Sequence, residues 1–367
     1  MNIFGGWLPS RIIARYVGRR FASRTAAVLF GLVLILLVLD LIGESGRILA
    51  VPGNSGDDVL RYTWLRLPQL IAQFLPFSVL LATLLTLSEL NAASEITIFK
   101  GAGISAHQIL MPLFAVGAVV AVLSFTFNEL VLTHTNSKLV EWKARDYADY
   151  NKADPAPREV WARDGENLAH AARIDGRDAK AVLTDLVFYD RKPDGALEAI
   201  VRAPHARKVA RGWELERPSR FDVATGRIAS SSEWLWRTDV QPRQFMTRDP
   251  DPDSVPFWRM PAAIAAVETA GRPTASLWAH TYHKLSQPLS ALLMPLLGAV
   301  AGFGLARSGR LFIRAVIGMV LGFSFFVADN FMLAMGSFNA VPPIVAAWSP
   351  LVLFFLIGES VLLRTEE

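Results

Sequence analysis

The residues with chemistry to offer are few and oddly placed. His280, His283 and Lys284 sit at helical spacing just ahead of an apolar run. Asp329, followed by Asn330, lies inside another apolar run, and Asn128-Glu129 near the end of a third. Asp40, Glu44 and Arg47 follow one another at i, i+4 and i+7, which puts all three on one helical face. Two kinds of chemistry fit. Arg47, His280, His283 and Lys284 offer charge-assisted contacts to phosphates. Alternatively, His280 and His283 with Asp40 or Asp329 form an acid–base or metal set. The H-x-x-H spacing is weak support for the second, because no H-E-x-x-H accompanies it. No G-x-S-x-G nucleophile elbow is present. There is no P-loop, not even a Gly-Lys pair, and no Cys for a thiolate metal site or nucleophile. The expectation is no catalytic residue, no bound metal and no cofactor in this chain, with any ATP used by a partner.

The elements that carry these residues are apolar. Of 367 residues, 52% are hydrophobic and 19% charged, and the mean hydropathy is +0.32. Those values exclude a disordered chain, a coiled coil and a nucleic-acid-binding tail protein. Six stretches, 26–43, 67–87, 109–132, 285–306, 311–335 and 341–363, approach the ~20 residues needed to cross ~30 Å of hydrocarbon. They predict six transmembrane helices grouped three and three. Ahead of the first, Arg11, Arg15, Arg19, Arg20 and Arg24 interleave with Ile12, Ile13, Tyr16, Val17 and Phe21, which reads as a basic amphipathic helix on a membrane surface. The same arginines place the N-terminus in the cytoplasm, and six spans return the C-terminus there. Segments assigned to the cytoplasm, including 306–314 with Arg307, Arg310 and Arg314, carry +5 of the net +4, leaving −1 elsewhere. At 1.5 Å per residue, Asp40, Asp329 and Glu129 then lie about 21, 27 and 30 Å across, in the outer third of the bilayer. Ionisable groups there are costly and mark function by default; the plainer reading is snorkelling to the interface.

The polar stretch between the third and fourth spans falls outside the cytoplasm. Residues 137–158 predict a helical extension of the third span, ending at Pro155 and Pro157. Short alternating strands follow, as in 182–190 and 233–238, with glycines at turn positions. This spacing predicts a sandwich or open barrel. Its apolar Val187, Phe188, Trp213, Trp234 and Trp236 form either a plain core or a slot for a hydrocarbon chain. Residues 239–261 read as a linker and 260–270 as a short helix. The resulting fold class is an α+β membrane protein, divided as 1–136, 137–275 and 276–367. Between spans 2 and 3, Glu95, Ile98 and Phe99 share one face of a short helix that Ser94 or Asn91 caps and Gly101 and Gly103 stop. An acid beside apolar anchors suits docking in a partner's groove.

Together these segments resemble the lipopolysaccharide export permeases, the LptF/LptG family. Ser94-Glu95-Ile96-Thr97-Ile98-Phe99-Lys100-Gly101-Ala102-Gly103 resembles the family's coupling helix, and Trp161-Ala162-Arg163-Asp164-Gly165-Glu166-Asn167 its first strands. Lys284 to Ser290, Gly322 to Asp329 and Val341-Pro342-Pro343-Ile344 resemble spans four, five and six. The strand motif and the start of span six are more similar to the LptG branch than to LptF. The resemblance implies a half-transporter in the bacterial inner membrane. It would pair with an LptF-like subunit and sit on two LptB-like ATPases. An LptC-like membrane-anchored partner and an LptA-like periplasmic bridge would receive lipopolysaccharide extracted from the outer leaflet. Glu95 would contact the ATPase and Lys284 the lipid head group, and the β-domain would be a periplasmic jelly-roll-like module receiving acyl chains. One departure stands out. Where the best-matched members carry lysines near the outer end of span one, this sequence has Asp40, Glu44 and Arg47, which moves phosphate recognition to Arg47, Lys284 or the partner. Two other readings remain open from the residues themselves: an intramembrane enzyme using Asp329, His280 and His283, and an anchored scaffold for the β-domain.

Overall fold

The computed structural model describes residues 10–148, 158–176, 180–192, 195–242, 245, 250–269, 272–302 and 311–366. Arg307 and Arg310, and the expected helix end at Pro155 and Pro157, lie outside them. The chain divides into two compact units. One comprises Met1–Tyr147, Asp251–Pro261 and Ala275–Glu367, and the other Ala148–Pro250 and Ala262–Thr274.

The first unit is helical. Its elements before the β-rich segment are α1 (Arg11–Leu49), α2 (Gly56–Ala92), α3 (Glu95–Gly101), α4 (Ala106–Phe127), a π-helical turn (Asn128–Leu132) and α5 (Thr133–Lys143). After it come two 3₁₀ turns (Pro252–Ser254 and Phe257–Arg259), α6 (Met260–Thr269), whose residues from Ala262 on belong to the second unit, and then α7 (Ala275–Gly302), α8 (Leu311–Ser337) and α9 (Pro343–Glu366). Five of the described helices are long and apolar enough to cross a membrane: α1, α2, the continuous rod from α4 through α5, α8 and α9. Of the stretch 285–306 expected as the fourth span, residues 285–302 lie in α7, and the rest falls outside the described residues.

The basic N-terminal stretch is not a separate element. It forms the first turns of the 39-residue α1, because no Pro interrupts the chain between Arg11 and Leu49. Its amphipathic pattern survives, with Val17 and Phe21 buried and Ile12 exposed. A second difference concerns the extension of the third span, which ends at Lys143. Asp146 and Tyr147 take left-handed φ of 49° and 61°, and the Tyr147 amide donates to the Trp142 carbonyl (3.1 Å), a closure typical of helix C-termini. Tyr147 is drawn back against Trp142, edge to face at 5.1 Å, and against Tyr62 at 6.2 Å. Where the helices meet, small residues permit close approach. A Cβ added at Gly117 of α4 would sit 2.9 Å from the Ala291 carbonyl oxygen of α7, and one at Gly298 2.6 Å from Thr83 Cγ2.

Besides most of α6, the second unit holds one antiparallel eight-stranded sheet. Its strands are β1 (Arg158–Asp164), β2 (Asn167–Asp175), β3 (Val182–Arg191), β4 (Leu197–Val209), β5 (Gly212–Glu216), β6 (Ser219–Asp222), β7 (Ile228–Ser230) and β8 (Glu233–Trp236). The order is β1-β2-β3-β4-β5-β8, with β6 on β4 and β7 on β6. The 13-residue β4 forks: Ala199–Arg202 pair with β6, and His205–Val209 with β5. Opposite the fork, Asp185 of β3 has φ +52°. Side chains alternate across the pleat, so one face collects Val160, Ala169, Leu186, Phe188, Val201, Trp213, Leu215 and Trp236 into a buried core.

Candidate functional site

Most of the polar residues singled out by the sequence meet at one end of the helical unit, where α1 ends, α2 begins and the π turn, α7 and α8 converge. They meet as pairs. At the α1–α2 contact, Arg66 straddles the Asp40 carboxylate, with Nη2 to Oδ1 at 3.0 Å and Nε to Oδ1 at 3.2 Å. The Tyr62 hydroxyl donates to Asp40 Oδ2 at 2.7 Å. One turn on, Glu44 accepts from the Tyr147 hydroxyl at 2.8 Å, with Arg47 Nη1 at 3.2 Å and Lys143 Nζ at 3.6 Å. Burial and the neighbouring carboxylate push the Tyr147 phenol above its ordinary pKa, so it serves as a neutral donor. Arg47 is about two-thirds exposed at its side chain, at 65%.

The deepest pair joins α7 to the π turn. Lys284 Nζ lies 3.0 Å from Glu129 Oε1, and the two side chains are only 11% and 2% exposed. The second carboxylate oxygen of Glu129 accepts from the Phe257 backbone amide. A charge this buried persists because it is paired and hydrogen-bonded on both oxygens. Beside it, His283 Nε2 meets Asp329 Oδ2 at 2.9 Å, joining α7 to α8. His280 is tied to its own helix, Nδ1 to the Ser276 carbonyl at 2.8 Å. His280, His283 and Asp329 border a cavity of about 310 Å³ between α2, α7 and α8, and Glu129 and Lys284 do not line it. Among the described residues no cluster of three or more His, Asp or Glu is arranged to hold a metal ion.

Sequence reasoning missed Arg66, Tyr62, Lys143 and Tyr147. The apolar run that predicts the second span begins at residue 67, so Arg66 falls one position outside it. In the structure α2 starts at Gly56, behind a capping box in which Ser55 and Asp58 bond each other's backbone. That places Arg66 well inside the helix. An arginine so near an apolar run was the available signal.

At the opposite end, α3 packs beside the start of α1. Ser94 occupies the N-cap position in a left-handed conformation, with no side-chain cap bond. Gly101 is the last residue of α3, and Gly103 (φ +80°) makes the turn out of it. Glu95 faces α1, where the Tyr16 hydroxyl donates to it at 3.1 Å and Arg20 lies 3.9 Å away. Arg20 and Arg24 also reach Glu89 of α2. Phe99 packs against the helical core, whereas Ile98 is 65% exposed. Ile12, Ile13, Tyr16, Glu95, Ile98 and Phe99 together line an apolar groove of about 290 Å³.

In the sheet unit, Phe188, Trp213 and Trp236 are buried in the core and Trp234 packs against it. Trp213 Nε1 donates to the Val240 carbonyl at 3.1 Å and Trp236 Nε1 to Asp164 Oδ2 at 3.1 Å. Val187 stands apart. It pairs with His170 and Arg202, one position off the buried Leu186 and Phe188, and so belongs to the other face of the sheet.

The family described as lipopolysaccharide export system permease LptF/LptG matches residues 15–364. The chain is 24% identical over 365 residues to lipopolysaccharide export system permease protein LptG of Escherichia coli (strain K12), covering 97% of this chain and 99% of that protein. Against the LptG of Haemophilus influenzae it is 22% identical over 352 residues, covering 93% and 95%. A match of this extent, over both the helical unit and the sheet, places the chain in the LptF/LptG family of lipopolysaccharide export permeases.

Proposed function

We propose that the chain is the LptG-like permease subunit of an ABC-type exporter that lifts lipopolysaccharide out of the outer leaflet of the inner membrane and passes it to a periplasmic bridge. The family match along nearly the whole chain carries this reading. In the proposed topology, residues 1–136 hold the basic N-terminal stretch, spans one to three and the coupling helix. Residues 137–275 hold a jelly-roll-like periplasmic domain, and 276–367 hold spans four to six, with both termini cytoplasmic. The partners are an LptF-like subunit, two LptB-like ATPases that consume the ATP, an LptC-like anchor and an LptA-like bridge. Asp40, Glu44, Arg47, Glu129, His280, His283, Lys284 and Asp329 form the head-group end. Arg47, with its exposed guanidinium, is the residue best placed for phosphate contact, while Glu129 and Lys284 brace the helices. Phe188, Trp213, Trp234 and Trp236 support the acyl-chain route through the sheet, with Val187 on its other face.

The ATPase docks at α3 and the adjoining start of α1. Exposed Ile98 and the apolar groove supply the anchor, and Glu95, held by Tyr16 and Arg20, sets the charge beside it. In the reconstituted complex, Glu95→Arg places a third cation against Arg20 and lowers lipopolysaccharide-stimulated ATP hydrolysis by about tenfold, equivalent to ~1.4 kcal/mol of coupling. Expression and thermal unfolding stay at wild-type values. Full stimulation in the variant would remove α3 from the coupling interface.

A further inference from the structure

The cavity between α2, α7 and α8 differs from the rest of the head-group end in one respect that decides what it holds. Among the described residues that line it there is no Lys or Arg. Lys284, next to the lining His283, turns its ammonium to Glu129; Arg66, which donates to the lining Gln69, is paired with Asp40; and His283 is engaged by Asp329. A phosphate placed here would meet the Asp253 and Asp329 carboxylates with no Lys or Arg in the described lining to offset them. The lining is instead amide and aromatic: Gln73, Gln287 and Asn330 supply donors and acceptors, and Phe77 and Phe326 stand edge to face at 5.1 Å. Asn330 Nδ2 donates to the Phe326 carbonyl at 2.9 Å, which turns its carbonyl oxygen to accept. Amides and the carboxylates of Asp253 and Asp329 match hydroxyl groups, and phenyl rings match the C–H face of a sugar ring. The volume, about 310 Å³, is at the small end of the range for small-molecule sites.

A second hollow adjoins it. Ala72 of α2 lines both this cavity and an apolar groove of about 450 Å³ between α2 and α4, which is walled by Ile71, Leu75, Leu123 and Leu130. The π turn, a feature frequent at functional sites, contributes Leu130 and Val131 to that groove. A polar hollow and a hydrocarbon-lined hollow on the two sides of one small residue suit a single molecule with a polar ring and an acyl chain. We propose that the α2–α7–α8 cavity is a saccharide subsite, taking the uncharged, hydroxyl-rich part of an amphiphile and not its phosphates, while the groove beyond Ala72 takes one of its acyl chains. This deepens the lipid-export reading and rests on it.

The test uses the whole exporter in lipid bilayers, with a photo-reactive amino acid at Asn330 and, in a second preparation, at Gln73, so that a folding defect at one position does not silence the experiment. Three probes are compared: lipopolysaccharide, the same lipopolysaccharide after phosphatase treatment, and phosphatidylglycerol. The expected result is equal labelling of the first two, within about twofold, and about tenfold less of the third, a preference of ~1.4 kcal/mol. Labelling that falls tenfold with phosphate removal overturns the proposal in favour of a phosphate site. Equal labelling of phosphatidylglycerol reduces the cavity to a general lipid crevice and overturns it as well. Export is measured in the same vesicles. Export without labelling at either position removes the cavity from the path, whereas a complex that moves no lipopolysaccharide sinks the export reading itself.

Discussion

The two units of this chain solve the burial problem with opposite signs. In the sheet unit, Trp213, Phe188 and Leu215 are inside and each buried indole nitrogen has an acceptor, the arrangement water imposes. In the helical unit, Phe30, Leu34, Ile35, Phe331 and Leu356 are each at least half exposed, while the charged side chains of Glu129 and Lys284 are only 2% and 11% exposed. Water would not tolerate that exterior, but hydrocarbon would. The difference teaches that what holds the helical unit together is not withdrawal of apolar surface from solvent. Packing of small residues such as Gly117 and Gly298, and ion pairs reaching between helices, take that role.

Three substitutions test the contrast. Trp213→Ala should cost the most, toward the upper part of the about 3–5 kcal/mol seen for buried aromatics, because Trp213 is fully buried. Urea unfolding followed by tryptophan fluorescence measures it, and a cost under about 1 kcal/mol would mean the sheet core is not the stabilising element. Lys284→Ala comes next, at about 3–4 kcal/mol, since it strands the Glu129 carboxylate. Pairing it with Glu129→Met should recover most of the loss in a thermal unfolding series on the detergent-solubilised complex. If the double variant is no more stable than the single, the pair is not what braces α7 against the π turn. Phe331→Ala should change stability by less than about 0.5 kcal/mol despite the large side chain removed. A loss matching that of Trp213→Ala would show that Phe331 is covered by protein in the assembly.

Much of the architecture was legible in the sequence, and the reasons are local. Hydropathy blocks locate the helices, because every residue of a span meets the same apolar surroundings. Period-two alternation locates β2 to β5, because one face of the sheet is buried. The short helix at 260–270 is present as α6. What sequence could not show was pairing. Glu129 and Lys284 are 155 positions apart, and Asp329 is 46 from His283. Each looked like an unpaired ion available to a ligand, and each is already engaged. Val187 failed for a different reason: an alternating strand whose two faces both carry apolar residues does not say which face is the core. The run-on of α1 through the basic segment was hidden by the change of composition at residue 25, which the helix ignores.

The π turn at Asn128–Leu132 has a consequence for the chain's tolerance to change. Such a turn holds one residue more than the α-helix around it, and each residue advances a helix by about 100°. Everything downstream is therefore rotated relative to α4. That rotation brings Leu139 and Trp142 of α5 against Tyr62 and Tyr147. The turn is a phase adjuster. Removing a single residue between Asn128 and Leu132 would leave a straighter helix of nearly the same length and hydropathy, yet aim α5 away from its neighbours. A deletion there would do more harm than any point substitution in the same five positions.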